Sequence, residues 1–333
     1  MFLLDYYIIL LLFYFCYSKN KTIFVFEHFR HGARGPISED IIFNQKYIGQ
    51  GELTNVGARM HYLLGKRNKY IYIKEKKFIS QTFKPDEFLI FSTNTNRTIE
   101  SVNNQLQGMF SEQKEDLKLI KSQEKKSAPY YLNKNDKIKT KINQLNNIAI
   151  NSGTQVFPVH VLTMGNNYIP LINEKNCPNA LEIIYSNINK NLNDIKKFIK
   201  EFTTNHKVLF NETDFKKEEI SLYSKINLIC DLTVSGHTDG RELNKSIKIN
   251  ITKLYSDCNS YHEILFTKIY ANDNENKMSK MTMSNLMKIL IDYIDKRIEL
   301  DKKKKGDLIL KNHPKFFMYS GHDTTIAQFY KIF

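Results

Sequence analysis

Apolar positions along the chain fall into two kinds of pattern. Thr22 to Phe26 is a β-branched and aromatic run without helical period and predicts a buried strand. Phe88 to Phe91, Val156 to Leu162 and Phe316 to Tyr319 predict three more. Between them, apolar residues recur at steps of three or four. Val56, Met60, Leu63 and Leu64 predict a helix with Thr54 as N-cap and Gly65 near its end. After a polar turn over Ser92 to Asn96, Ile99, Val102, Leu106, Met109 and Phe110 predict a second helix, with Arg97 in its first turn. Leu181, Ile184, Ile188, Leu192, Ile195, Ile199 and Phe202 predict one long amphipathic helix. Met283, Leu286, Leu290, Ile294 and Ile298 predict another, broken off by a lysine run and Gly306. From Ser111 to about Asn147 the chain is rich in Lys, Gln and Asn with little apolar period, which predicts a peripheral excursion. Strands alternating with helices, and no internal repeat, predict an α/β fold.

Three of the predicted strands run into loops that carry titratable groups. Arg30-His31-Gly32-Ala33-Arg34-Gly35-Pro36 follows the first, Ser92 to Arg97 the second, and Ser320-Gly321-His322-Asp323-Thr324-Thr325 the last. Open α/β sheets bind ligands at the carboxyl ends of their strands, so location and chemistry point the same way. Arginine usage agrees. The chain holds 49 Lys plus Arg, only seven of them Arg, yet three of those seven are Arg30, Arg34 and Arg97. Planar guanidinium forks suit the oxygens of a phosphoryl group better than an ammonium point charge.

Composition sets the outer limits. With 333 residues, 41% hydrophobic and 25% charged, the chain has the usual globular balance, which excludes wholesale disorder and a disulfide-stapled miniprotein. The formal charge of +14 would attract any polyanion, whether nucleic acid, anionic membrane or phosphorylated substrate, and does not choose among them. The one tight cluster, Lys302 to Lys305, reads as a solvated charge run. Tyr6 to Tyr17 is an apolar run of twelve residues, too short for a bilayer span of about 20 residues, and fits a secretory signal over residues 1–18 cleaved near Ser18. Asp5, without Lys or Arg, is an unusual n-region and leaves an uncleaved signal anchor as the alternative. Cleavage would leave Cys177, Cys230 and Cys258, an odd number for an oxidising compartment. No C-x-x-C pair suggests structural zinc, and Glu27, His28 and His31 have no further ligands close by in sequence, so neither metal nor cofactor is expected. Sequons at Asn20, Asn211, Asn244 and Asn250 fit glycosylation, and a fifth, at Asn96, is expected inside the cleft.

The heptapeptide Arg30 to Pro36 resembles the R-H-G-x-R-x-P signature of the histidine acid phosphatases, a branch of the histidine phosphatase superfamily. Four further segments follow in the family's order. Leu53 to Gly57 resembles L-T-x-x-G, Ser92-Thr93 with Asn96-Arg97-Thr98 resembles S-T-x-x-x-R-T, and Pro158-Val159-His160 with Cys177-Pro178 resembles P-V-H and C-P. His322-Asp323 resembles the H-D pair near the family's carboxyl end. The heptapeptide alone is specific, whereas L-T-x-x-G or H-D alone would be weak.

The resemblance implies a phosphoglycerate-mutase-like fold, a central mixed sheet flanked by helices, spanning residues 19–333 with an inserted, mainly helical subdomain at about 111–258. It implies His31 as the nucleophile that forms a phosphohistidine, Asp323 as the proton donor, and Arg30, Arg34, Arg97 and His322 as phosphate ligands. The expected substrate is a small phosphate monoester, with no cofactor, no nucleic-acid partner and no stable membrane span. A homodimer is left open, and the expected setting is the secretory or lysosomal lumen. A phytase, another specialised phosphomonoesterase and a truncated inactive relative are the alternatives. The chain ends ten residues after Asp323, where relatives continue, and the resemblance implies that Cys177 and Cys230 bridge to cysteines of such a tail. His61, His206, His237, His262 and His313 have no partner motif and count as ordinary residues, while His160 stands near the cleft in relatives.

Overall fold

The computed structural model describes residues 21–38, 42–43, 49–110, 118–124, 126–127, 140, 144, 147, 149, 155–162, 178–211, 221–244, 246–270, 276–303 and 313–332. The expected signal segment, Cys177 and most of the excursion after Ser111 lie outside them.

Four strands, β1 (Val25–Arg30), β2 (Phe88–Thr93), β3 (His160–Leu162) and β4 (Phe316–Gly321), form one sheet in the order β1-β4-β2-β3. All three pairings are parallel, so the antiparallel member that a mixed sheet requires is not among the described strands. β4 lies in the middle and every residue of it is buried, which is why it reads as an unbroken apolar run. In register, Arg30 stands beside Gly321 and Ser92 beside Ser320, so the carboxyl ends of β1, β4 and β2 finish level.

β1 is not quite where its apolar run lies. It begins at Val25 and carries on through Glu27 and His28 to Arg30. Those polar side chains are accepted inside because each has a partner. Glu27 takes hydrogen bonds from Asn68 Nδ2 (2.8 Å) and Gln105 Nε2 (2.7 Å), and His28 Nε2 meets Thr325 Oγ1 at 3.2 Å. Burial raises the Glu27 carboxyl above its ordinary range despite those two bonds.

On one face of the sheet lie α1 (Asn55–Asn68) and α2 (Asn96–Phe110). Thr54 caps α1 as expected, its side chain accepting from Gly57 N. Gly65, however, does not end the helix. A Cβ there would stand 1.9 Å from Gln105 O and 2.9 Å from Gly108 Cα, and one at Gly108 would stand 2.1 Å from Tyr62 O. The two glycines are the point where the helices cross backbone to backbone. The buried face of α1 is therefore Gly57, His61, Gly65 and Asn68, while the apolar set Val56, Met60, Leu63 and Leu64 that revealed the helix is on its exposed side. Val102, Leu106, Met109 and Phe110 of α2 pack on Phe29, Phe88, Ile90, Phe316 and Met318 of the sheet. On the other face, α7 (Lys277–Lys303) sets Met283, Leu286 and Leu290 against Phe317 and Tyr319, and α8 (Asp323–Tyr330) adds Phe329.

A third apolar cluster is helical. The long helix predicted over Leu181 to Phe202 is two, α3 (Pro178–Lys190) and α4 (Leu192–Asn205), joined at Asn191. Asn191 Nδ2 donates to Asn187 O and Lys268 O, which fixes the joint. With α5 (Leu222–Thr238), α6 (Ile251–Ile264) and its π-helical continuation to Tyr270, these helices bury Ile195, Phe202, Ile226, Ile229, Leu254 and Ile269. The cluster also takes in Ile42 and Phe43, so its packing extends past both ends of the expected 111–258 insertion. Cys230 of α5 is bonded to Cys258 of α6, Cα atoms 5.1 Å apart. The expected bridge from Cys230 to a tail cysteine is thereby corrected.

Candidate active site

The loop after β1 is shaped by glycine contacts. A Cβ on Gly32 would lie 2.5 Å from Gly57 O, and one on Gly57 would lie 2.2 Å from Ala33 O, so this loop rests directly on the first turn of α1. Three backbone bonds continue the seam: Thr54 N to Ala33 O (2.9 Å), Gly35 N to Glu52 O (2.9 Å) and Gly51 N to Pro36 O (2.8 Å). Gly51 has φ +68°, a left-handed conformation that glycine adopts without strain. The L-T-x-x-G segment thus supplies the surface that holds the arginine loop.

His31 is buried, with 5% of its surface exposed. Its Nδ1 lies 2.8 Å from Gly32 O, and a carbonyl can only accept, so Nδ1 carries the proton and the lone pair is on Nε2. Its amide donates to Gly321 O at 3.1 Å, and the Gly32 amide donates to Ser101 Oγ at 3.0 Å. Burial lowers the His31 pKa to about 2, with the Arg30 charge adding to the effect and those of Arg97 and His322 extending it. The imidazole is therefore neutral even in acid.

The His322 ring stands edge-on to His31 with centroids 5.5 Å apart. Thr98 Oγ1 donates to Thr93 O and Thr95 O, so Thr93 Oγ1 spends its hydrogen on Thr98 and must accept from His322 Nε2 at 3.0 Å. The same histidine's amide donates to Thr325 Oγ1 at 3.0 Å. Burial first, then Arg97, brings the His322 pKa to about 4. Asp323, the first residue of α8, accepts from Arg30 Nε at 3.0 Å and from Thr324 N at 2.9 Å. Burial pushes this carboxyl up, but the Arg30 charge, its hydrogen bond and the Thr324 amide outweigh it and hold Asp323 below the usual range.

Arg97, at the start of α2, donates from Nη1 to Gly51 O at 3.3 Å. Arg34 donates from Nη1 to Gly35 O at 2.9 Å and from Nη2 to Asp231 Oδ1 at 2.6 Å. The Nε atoms of both arginines are buried without a hydrogen-bond partner among the described residues. Buried unpaired donors on two cations suit an anion that is shared between them. The charges of Arg30, Arg34 and Arg97 all act on His322, so the six residues picked out in the sequence lie in one place. Asn96 is exposed beside them, its amide donating to Glu52 Oε1 at 3.1 Å.

Two neighbours went unread in the sequence. Asp231 holds Arg34, and the half-buried His262 of α6 feels Asp323, Asp231, Arg30 and Arg34. Neither belongs to a motif. The only signal was their spacing from the cysteines, one residue after Cys230 and one helical turn after Cys258. His61 is buried too, with Nδ1 3.2 Å from Gln105 Oε1.

The profile of the Histidine phosphatase superfamily (branch 2) matches residues 38–333, beginning just past the arginine loop. The chain is similar to lysophosphatidic acid phosphatase type 6 of Homo sapiens, 40% identical over 83 residues. That alignment covers 25% of this chain and 19% of the human protein, so it spans about a fifth of that relative's length. Prostatic acid phosphatase of Bos taurus is 23% identical over 316 residues, which is 91% of this chain and 67% of that protein. In fold, the structure resembles the phytase of Citrobacter braakii with a TM-score of 0.58 at 13% identity, covering 94% of this chain and 75% of the phytase.

Proposed function

Because the chain belongs to branch 2 of the histidine phosphatase superfamily, we propose that it hydrolyses phosphate monoesters through a phosphohistidine at His31. The observation that carries this reading is a neutral imidazole, its lone pair on Nε2, set among three guanidinium groups of which two keep an Nε that is buried without a partner among the described residues. Phosphoryl transfer needs charge placed on the equatorial oxygens, a nucleophile in line and a proton for the departing oxygen. Arg30, Arg34 and Arg97 hold the phosphate, joined by His322 once the arriving anion brings a proton to its Nδ1, since the Nε2 hydrogen is already given to Thr93. The Nε2 lone pair of His31 forms the N–P bond as the ester P–O bond breaks, and the proton of Asp323 goes to the leaving oxygen. Water then attacks phosphorus, the N–P electrons return to Nε2, and the water's proton restores the Asp323 acid. The charge and bond of Arg30 resist protonation of Asp323, and the arriving phosphate relieves both by drawing the guanidinium to itself.

Alkaline quench of the protein with an aryl phosphate radiolabelled at phosphorus tests this. An acid-labile, base-stable label lost in His31→Ala is the expected result, and turnover without such a label would refute it. Measuring kcat/KM on inositol hexakisphosphate beside an aryl monoester distinguishes a phytase from a general phosphomonoesterase.

The setting we propose is the secretory or lysosomal lumen, with glycosylation at one or more sequons. The Cys230–Cys258 bond supports it, since disulfides persist in oxidising compartments. No helix among the described residues is long and apolar enough to cross a membrane. A mobility shift after glycosidase treatment of the secreted protein is the test.

A further inference from the structure

The geometry points to Asp231 as a positioning residue for the phosphate arginine Arg34, a role that rests on the function proposed above. Asp231 belongs to α5, yet its carboxylate is spent on the loop after β1. Oδ1 accepts from Arg34 Nη2 at 2.6 Å and Oδ2 accepts from Ile37 N at 2.8 Å, so one side chain ties both ends of the Arg34–Ile37 segment. Only a carboxylate offers an acceptor on each side; an amide would turn an NH₂ toward one of the two donors. Ser235, one turn further along α5, lies on the same face with Oγ 3.4 Å from Arg34 Nη1. The pair is largely enclosed, with 13% of the Arg34 and 17% of the Asp231 side chain exposed.

These contacts tie both terminal nitrogens of Arg34 to the protein, Nη1 to Gly35 O and Nη2 to Asp231, while Nε is buried without a partner among the described residues. The guanidinium is rigid and planar, so fixing both terminal nitrogens fixes the direction of the third. α5 is itself anchored on either side of Asp231. Cys230 is bridged to α6, and Gly236 lies so close to Phe43 that a Cβ would stand 2.2 Å from its ring. The helical region thereby sets the aim of a group in the sheet's binding loop.

Charge and aim have opposite consequences, which makes the role measurable. Removing a carboxylate beside an anion site strengthens anion binding by charge alone, whether or not Arg34 is present. Loss of aim weakens binding only when Arg34 is there to be misaimed. The experiment is a double-mutant cycle of Asp231→Ala and Arg34→Ala, reading inhibition constants for orthophosphate and orthovanadate and the split between KM and kcat. Relative to its effect in the Arg34→Ala background, Asp231→Ala is expected to weaken both inhibitors at least about tenfold, with KM moving more than kcat. Equal effects in the two backgrounds, within about twofold, would overturn the assignment. If Asp231→Ala does not fold, Asp231→Asn carries the same cycle with a coupling of at least about threefold, since it keeps one of the two bonds. A wild type that yields no phosphohistidine would instead sink the functional reading, whatever the cycle gives.

Discussion

His28 links acid pH to stability. Its ring lies among Phe26, Tyr319 and Phe329, with centroids 6.1, 5.0 and 5.5 Å away. Thr325 Oγ1 gives its hydrogen to His322 O at 2.6 Å, so His28 Nε2 must donate to Thr325 Oγ1, and Nδ1 is left buried without a partner among the described residues. A second proton would have to sit on Nδ1 against aromatic rings. Burial accordingly lowers the pKa from 6.5 to about 4. For a base depressed in the folded state, the unfolded chain takes its proton first as pH falls, so the stabilisation is complete above about pH 6.5 and drains away toward pH 4. With a pKa shift of this size, the loss between pH 7.5 and pH 5 comes to about 2 kcal/mol from this one group. His28→Phe keeps a ring in place and removes the titration. Urea unfolding of both proteins at the two pH values measures the difference. The wild type is expected to lose about 2 kcal/mol more than the variant on acidification, whatever constant offset the new ring introduces. Parallel losses within about 0.5 kcal/mol would refute the reasoning.

Four other outcomes are expected. Gly65→Ala drives a methyl into the Gln105 carbonyl and should cost about 3 kcal/mol or abolish folding, whereas Gly240→Ala, at φ +68° with nothing within 4 Å, should cost only about 1 kcal/mol in the same denaturation assay. Because Arg30 holds the Asp323 carboxyl low and His31 stays neutral down to about pH 2, kcat/KM should climb as pH falls below neutrality; an alkaline optimum would contradict the roles assigned. Asp323→Asn should lower kcat by roughly 10²- to 10⁴-fold on alkyl esters and by less on aryl esters with good leaving groups. Replacing Cys230 and Cys258 by Ser opens a loop with a sequence separation of 28, for which the chain-entropy estimate is about 3 to 4 kcal/mol, seen as a lower urea midpoint.

Much of the candidate site was legible because its titratable groups sit at strand ends, where apolar runs stop and motifs begin. Arg30, His31, Arg34, Arg97, His322 and Asp323 could be named without a structure. What could not be read came from long-range pairing. Glu27 and His28 look like the end of a strand in sequence, and only Asn68, Gln105 and Thr325 make them part of one. Gly65 looks like a helix stop until Gly108 is placed against it. The apolar residues of α1 gave the right helix and the wrong face, because glycine and histidine do the packing there while Leu63 remains 58% exposed. Asp231 and His262 belong to no motif and have only their spacing from the cysteines as a signal, since their meaning depends on how α5 and α6 approach a loop some 200 residues earlier.

The strand order has a consequence for biosynthesis. β4 separates β1 from β2, so among the described strands β1 has no sheet neighbour, and β2 only β3, until residues near position 321 have been made. Arg30 and Asp323, which touch in the finished site, are 293 residues apart along the chain. At roughly 5–20 residues per second, the ribosome needs about 15 to 60 s to bring the second after the first. Throughout that interval β1 and β2 expose unpaired edges, and such topologies close slowly even once complete. The nascent protein should therefore depend on chaperones until the middle strand arrives, and the candidate site cannot assemble before then.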